Sequence, residues 1–212
     1  MNAGTMFKRG AAVLGLLLLG ALGGCSSLLP GKGASPDVFK LPSPGGAPAS
    51  ARTAKNNLQL VVDVPIAARA LDTDRIAVRS DTYQLAYLSG ARWDDNAPRV
   101  VQARLIEALE HSGFAAGVGR AEDAIRADFS LVSDLRNFEV VTQGLSAPII
   151  SVQIAAKLVV RPLGEVRAAR VFDAQVKAAG RGKQDIIAAF DQALTAIGND
   201  VAVWAPANLS PH

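Results

Sequence analysis

Between Ile150 and Val160 the chain alternates between apolar and polar side chains. Ile150, Val152, Ile154, Ala156, Leu158 and Val160 fall on one side, and Ser151, Gln153 and Lys157 on the other. A strand, whose successive side chains point to opposite faces, gathers such a set. Its apolar face must be covered, so the rest of the chain has to supply partner strands and a layer to lie on that face. Ala169 to Ala178 alternates in the same way, with Phe172, Ala174 and Val176 inward, and the loop Arg161 to Val166 joins the two as a hairpin. The cover is legible further on. Ile187, Phe190, Leu194, Ile197, Val201 and Trp204 recur at steps of three or four, predicting a helix from Lys183 to Trp204 with Pro206 ending the run.

The first half of the chain completes the pattern. Leu58, Leu60, Val62 and Val64 predict a strand that stops at Pro65. Arg75–Arg79 and Tyr83–Leu88 read as a hairpin across Ser80-Asp81-Thr82. Asn96 to His111 predicts a helix, with Asn96 or Asp95 at its cap, Pro98 in its first turn and Gly113 as its stop. Val101, Leu105, Ala108 and Leu109 form its apolar face, and Arg104, Glu107 and Glu110 lie elsewhere. A short strand is expected at Phe114–Val118 and a long one at Ala127–Val141. In the long strand the inward phase moves from Phe129 and Leu131 to Phe138 and Val140, which predicts a bulge. Aromatic residues make up only 5% of the chain, so the core leans on Val, Leu, Ile and Ala. The expected fold class is α+β: a mostly antiparallel sheet with two helices packed on one face, in one domain of residues 57–206.

The chain holds a single cysteine, Cys25, so no internal disulfide forms. Its surroundings explain it. Lys8 and Arg9 precede an apolar stretch, Ala11 to Leu22, of signal-peptide length. Leu22-Gly23-Gly24-Cys25 resembles the lipobox of bacterial lipoproteins, in which two small residues precede an acylated cysteine. Residues 1–24 are then a signal peptide, and the thiol of Cys25 carries fatty chains such as palmitate. Each buried methylene is worth about 0.8 kcal/mol, so several chains hold far more firmly than one. Ser26 follows the cysteine. An Asp there would resemble an inner-membrane retention signal, so Ser26 points to the periplasmic face of the outer membrane. Residues 25–56 are rich in Gly, Pro, Ser and Ala and read as a lipidated, flexible tether. One patch within it, Val38 to Pro42, has the composition of a docked edge strand. Residues 207–212 are expected to be a disordered tail.

Charge and chemistry exclude several functions. Lys8 and Arg9 are two of 22 basic residues; without them 20 face 19 acidic ones, nothing like the basic footprint of a nucleic-acid binder. The histidines are His111, at a helix end where a cation complements the dipole, and His212, the last residue. No HExxH, CxxC, GxSxG or GxxxxGK[ST] motif occurs. No catalytic residue, metal ligand or cofactor is expected. Asp72-Thr73-Asp74 lacks the further ligands of a calcium loop, and Asp94 with Asp95 more simply favour the start of the next helix. Tyr87, Arg92 and Trp93, between a strand and a helix, suit either a partner or lipid contact or a folded corner with Trp93 in the core, where an Arg can stack on an aromatic ring.

The runs LQLVVDVPIAARALDTDRIAVR and YQLAYLSGARWDDNAPRVVQARLIEALEHSG resemble the ABC-type transport auxiliary lipoprotein family, which includes the paraquat-inducible membrane lipoprotein and lipoproteins associated with mammalian-cell-entry (MCE) transporters. Phe39-Lys40-Leu41 stands at the family's early Tyr-x-Leu segment. Pro65, Leu71, Asp72, Arg75 and Ile76 match a second stretch, and Tyr87, Ala91, Arg92, Trp93 and Pro98 a third. Further matches run through Leu105, Ala108, Leu109, Glu110, Phe114, Ala127, Asp128, Leu131, Leu135, Phe138 and Glu139 to Trp204. The resemblance implies a non-catalytic component of an MCE-type ABC system that moves phospholipid or other hydrophobic substrates across the periplasm. It implies an MCE-domain partner, a membrane reached through the acyl anchor, and scope for a homo-oligomer. Leu71, Asp72, Arg75, Tyr87, Arg92 and Trp93 are the candidate partner or lipid contacts. Two other readings remain open: a lipid-tethered carrier of a small hydrophobic ligand, which needs a concave site, and a structural envelope lipoprotein.

Overall fold

The computed structural model describes residues 35–43, 57–123, 126–142, 144 and 146–209. The expected signal segment, Cys25 and most of the expected tether lie outside them, as do residues 210–212. In chain order the elements are β1 (Asp37–Phe39), β2 (Gln59–Val62), β3 (Ile66–Ala67), β4 (Arg75–Arg79), β5 (Leu85–Trp93), α1 (Ala97–Ser112), β6 (Gly117–Arg120), β7 (Phe129–Val141), β8 (Ile149–Val160), β9 (Glu165–Lys177) and α2 (Lys183–Asn208).

β7 is the spine of a curled mixed sheet. One of its edges pairs antiparallel with β8 along the strand, and β8 pairs in turn with β9. The other edge is shared by three short strands, all parallel to it: β2 beside Phe129–Leu131, β3 beside Asp134 and Leu135, and β4 beside Glu139–Val141. β6 extends β2 in parallel, β5 extends β4 antiparallel, and β1 closes the β5 edge in parallel. Five of the eight pairings among the described strands are therefore parallel. The expected mostly antiparallel sheet is corrected to a mixed one. Alternation tells which face a side chain takes but not which way a strand runs. The three parallel pairings to β7 follow from the long excursion through β5, α1 and β6 before it, the kind of crossover parallel strands require.

The core lies between this sheet and the two helices. Leu60, Val62, Leu131, Leu135, Phe138, Ile150, Ile154, Leu158 and Phe172 meet Val101, Leu105 and Leu109 of α1 and Ile187, Phe190, Leu194, Ile197 and Val201 of α2. The register of β7 slips between Leu135 and Asn137, which keeps Phe138 and Val140 inward. Fully burying side chains of this size is worth about 1.5–3 kcal/mol each. The helices cross closely at Gly198, where an added Cβ would meet that of Ala108 at 2.9 Å. α2 is 26 residues long and apolar enough to cross a bilayer by composition, but its apolar face is this domain's core.

Several boundaries differ from expectation. Tyr83 and Gln84 belong to the turn, and β5 runs on to Trp93. The short strand starts at Gly117 rather than Phe114, which is buried in the core instead. Pro206 does not end α2: it sits in the last turn, where its missing N–H forfeits one bond, and Leu209 closes the helix by donating to Pro206 O at 3.3 Å. Asn96 is the N-cap residue of α1, but its side chain donates to Asp72 Oδ1 at 3.2 Å instead of capping the helix. Gly113 takes the left-handed conformation at φ 63°, the stop the sequence predicts.

A candidate docking corner on the β4–β5 edge

The β4–β5 pair carries an irregularity that shapes the surface. Ala77 faces Tyr87, and Arg75 faces Arg92. β4 therefore advances two residues while β5 advances five, and the extra residues of β5 swell out around Gly90. Its φ of 65° is the left-handed backbone that glycine adopts without strain. Lys183, the first residue of α2, donates from Nζ to Gly90 O at 2.6 Å and holds the swelling in place.

The swelling forms one wall of an open groove of about 510 Å³, lined by Pro36, Asp74, Arg75, Tyr87 and Arg92 among others. Opposite it, the Arg75 guanidinium lies over the Tyr87 ring, 3.6 Å from the centroid. Tyr87 is in turn positioned by its hydroxyl, which donates to Ala70 O at 3.2 Å. Arg92 reaches Asp74 Oδ2 at 3.3 Å. Both partners of that pair are well exposed, so it contributes at most about 1 kcal/mol. The Asp74 carbonyl accepts from Trp93 N at 2.7 Å, and the Thr73 carbonyl accepts from Ala97 N at 3.0 Å, binding the β3–β4 turn to the start of α1.

Of the six candidate contacts, the structure gathers Arg75, Tyr87 and Arg92 around this corner, while Asp72, in the turn before β4, accepts from Asn96 Nδ2 at 3.2 Å. Leu71 and Trp93 are buried beneath it. Trp93, 1% exposed, packs against Phe138 and Phe190 at ring separations of 5.4 and 5.1 Å. It positions the corner from inside the core. Asp74 and Gly90 complete the corner, and neither was among the candidate contacts; the expected strand stopped at Leu88, just short of Ser89-Gly90.

A second arrangement holds the segment before β2. β1 pairs with Ala91–Trp93, and Asp94 N donates to Phe39 O at 2.9 Å. Leu41 is buried in the core. Arg104 of α1 donates to Pro42 O at 2.5 Å, to Asp191 Oδ1 at 2.7 Å and to Thr195 Oγ1 at 2.8 Å. Ser43 Oγ donates to Glu107 Oε1 at 2.6 Å, and Lys183 Nζ meets Asp37 Oδ2 at 2.8 Å. Residues 37–43 thus form a strap tied to both helices. Arg104, placed by periodicity away from the apolar face, is 5% exposed, because the strap and α2 close over it.

Glu110 in the last turns of α1 has its carboxyl pushed up from the ordinary range, first by burial and then by Glu107; His111 and Arg120 oppose the rise. Among the described residues no group of three or more His, Cys, Asp or Glu side chains is placed to hold a metal ion.

Known proteins resemble this chain in fold or in sequence. A crystal structure of a Xanthomonas campestris protein of the DUF330 family is 31% identical, with a TM-score of 0.68, covering 82% of this chain and 94% of that one. A second crystal structure, of an uncharacterized protein, is 15% identical with a TM-score of 0.60 over 80% of this chain and 97% of that one, a likeness of fold alone. An uncharacterized protein of Bradyrhizobium diazoefficiens is 30% identical over 175 residues. That match takes in 76% of this chain but 46% of the relative, so the chain spans about half its length. Residues 39–202 match the family model of the ABC-type transport auxiliary lipoprotein component. The chain belongs to that family.

Proposed function

We propose that the protein is a non-catalytic lipoprotein of an MCE-type ABC transport system, held by acyl chains on Cys25 at the periplasmic face of the outer membrane. In this role it receives the far end of a hydrophobic conduit, along which phospholipid or another hydrophobic substrate crosses the periplasm. The observation that carries the reading is the match of residues 39–202 to a transport auxiliary component. The β4–β5 corner is the proposed docking surface. It presents Arg75, Tyr87 and Arg92, residue types that dominate binding energy at interfaces, on a bulged edge backed by the rigid Trp93–Phe138–Phe190 cluster. A carrier of small hydrophobic ligands finds less support. The groove of about 510 Å³ is open and carries the charged side chains of Asp74, Arg75 and Arg92, while the more apolar cleft between the helices, beside Ala108, Leu194 and Gly198, holds about 210 Å³, below the roughly 300–1,000 Å³ of small-ligand sites.

The test is affinity capture of the full acylated chain from detergent-solubilised envelopes of the native organism. The expected result is recovery of an MCE-domain protein with its ATPase and permease. Capture without any of the three contradicts the reading.

A further inference from the structure

We propose that the face of the sheet turned away from the helices receives a second copy of this chain, in a twofold contact centred on Asp134 of β7 and Lys157 of β8. The proposal stands apart from the transporter reading and from the acyl anchor.

Strand register fixes which side chains share that face. Leu131, Leu135, Ile154 and Leu158 point into the core, so the alternate positions of β7 and β8 point out. Val132 pairs with Lys157, and Lys157 with Ala169 of β9. Asp134 pairs with Ala155, and Ala155 with Val171. Ile66 of β3 flanks Asp134 on its other side, and Val159 pairs with Val166 in the neighbouring row. Ile66, Val166 and Val171 are 66, 56 and 45% exposed, and Val132 and Val159 are half-buried between them. Scattered apolar side chains on a surface are ordinary, but these adjoin one another across four strands. Polar groups border them. Asn137, Gln153 and Asp173 form the row on one side. On the other, Arg161 is bonded to Ser130 and ion-paired to Asp63. An apolar centre with a polar rim is the anatomy of a protein contact.

The two charges inside the patch say which protein. Asp134 and Lys157 occupy diagonal positions of adjacent strands, and neither has an ion-pair partner among the described residues. Lipid, or an apolar partner, would desolvate both without pairing either. A second copy pairs them. A twofold axis lying in the plane of contact and running between them sets each Lys157 against the other copy's Asp134, so one diagonal yields two ion pairs. With strands about 4.8 Å apart and a rise of about 3.4 Å per residue, that axis passes close to Val132, Ala155 and Val171. These side chains then meet their own counterparts, and Ile66 comes opposite Val159. The strands of the two sheets cross within about 20° of a right angle, the orthogonal class of sheet packing. Such self-complementarity is what a twofold contact demands of a single surface.

Disulfide trapping across the axis tests this. Val171→Cys is introduced into the full chain in the native envelope and treated with a mild oxidant. Val203→Cys, exposed on α2, is the comparison, so any thiol at Cys25 counts equally in both. Linked dimer about tenfold above the Val203→Cys level is expected. In the Val171→Cys chain, Asp134→Lys alone or Lys157→Asp alone sets like charges against each other and should cut the dimer by about tenfold. Both reversals together restore opposite charges and should return the dimer to the parent level. Both side chains point away from the core, so the reversals leave its packing untouched. Dimer no more abundant from position 171 than from 203 overturns the proposal. So do single reversals without effect, or a double reversal that recovers nothing.

Discussion

Arg75 lies flat over the ring of Tyr87, 3.6 Å from its centroid, across a β-pair that swells at Gly90. Such a stack at a partly exposed site is worth about 0.5–1 kcal/mol to the fold. At the centre of an interface the same two side chains are worth more, about 2 kcal/mol or above for a dominant contact. Arg75→Ala should therefore lower thermal stability slightly while weakening capture of the transporter partner by tenfold or more. Parallel melting and titration of wild type and variant separate the two effects. Equal, small changes in both would remove this corner from the docking surface.

Arg104 is a second hub, joining Pro42, Asp191 and Thr195 while almost fully buried. Arg104→Met keeps much of the stem but leaves Asp191 and the Pro42 carbonyl without their charged donor. The expected loss is about 2–4 kcal/mol by denaturant unfolding. Proteolysis near residues 40–43 should also accelerate, because the strap loses its tie to α1. An unchanged cleavage rate would show that Leu41 and the β1 pairing hold the strap unaided.

Ser133 faces the core opposite Ala156, and its hydroxyl is buried without a hydrogen-bond partner among the described residues. An unpaired buried hydroxyl costs free energy that an alanine does not. Ser133→Ala should stabilise the domain by about 1 kcal/mol, seen as a higher urea midpoint at unchanged slope. A lower midpoint would mean that the hydroxyl is paired.

Glu110 supplies a pH signature. Its carboxyl holds its proton more tightly in the folded chain than in the unfolded one. Its contribution to stability is therefore fully present below the ordinary carboxylate range and is lost as pH rises through the folded value. At neutral pH the charged form is penalised, and Glu110→Gln removes that penalty. The variant should melt slightly higher than wild type at pH 7, and the difference should shrink towards pH 4. A difference that grows on acidification would contradict the assignment.

The sequence made the two-layer character legible because alternation and helical periodicity report burial directly. The inward residues of β8, the Phe172 face of β9 and the Ile187–Val201 face of α2 all lie where their spacing puts them. Strand direction was not legible. β2, β3 and β4 share one edge of β7 in parallel, and nothing in a short apolar run specifies its partner. Arg104 was misplaced because a helix wheel sees one face, whereas the strap covers a second. Of the candidate contacts, Arg75, Tyr87 and Arg92 converge on the groove, although the swelling that separates Tyr87 from Arg92 was not legible, since the expected strand stopped at Leu88. Leu71 and Trp93 share their neighbourhood but point inward, since large apolar residues beside a surface motif more often support it than belong to it.

Site-specific photocrosslinking in the native envelope tests docking at this corner most directly. A photoreactive residue replaces Arg92, at the corner, or Val203, exposed on α2. The account predicts an adduct between position 92 and an MCE-domain protein, and little or none from position 203. No adduct at position 92, or equal adducts from both positions, would contradict it.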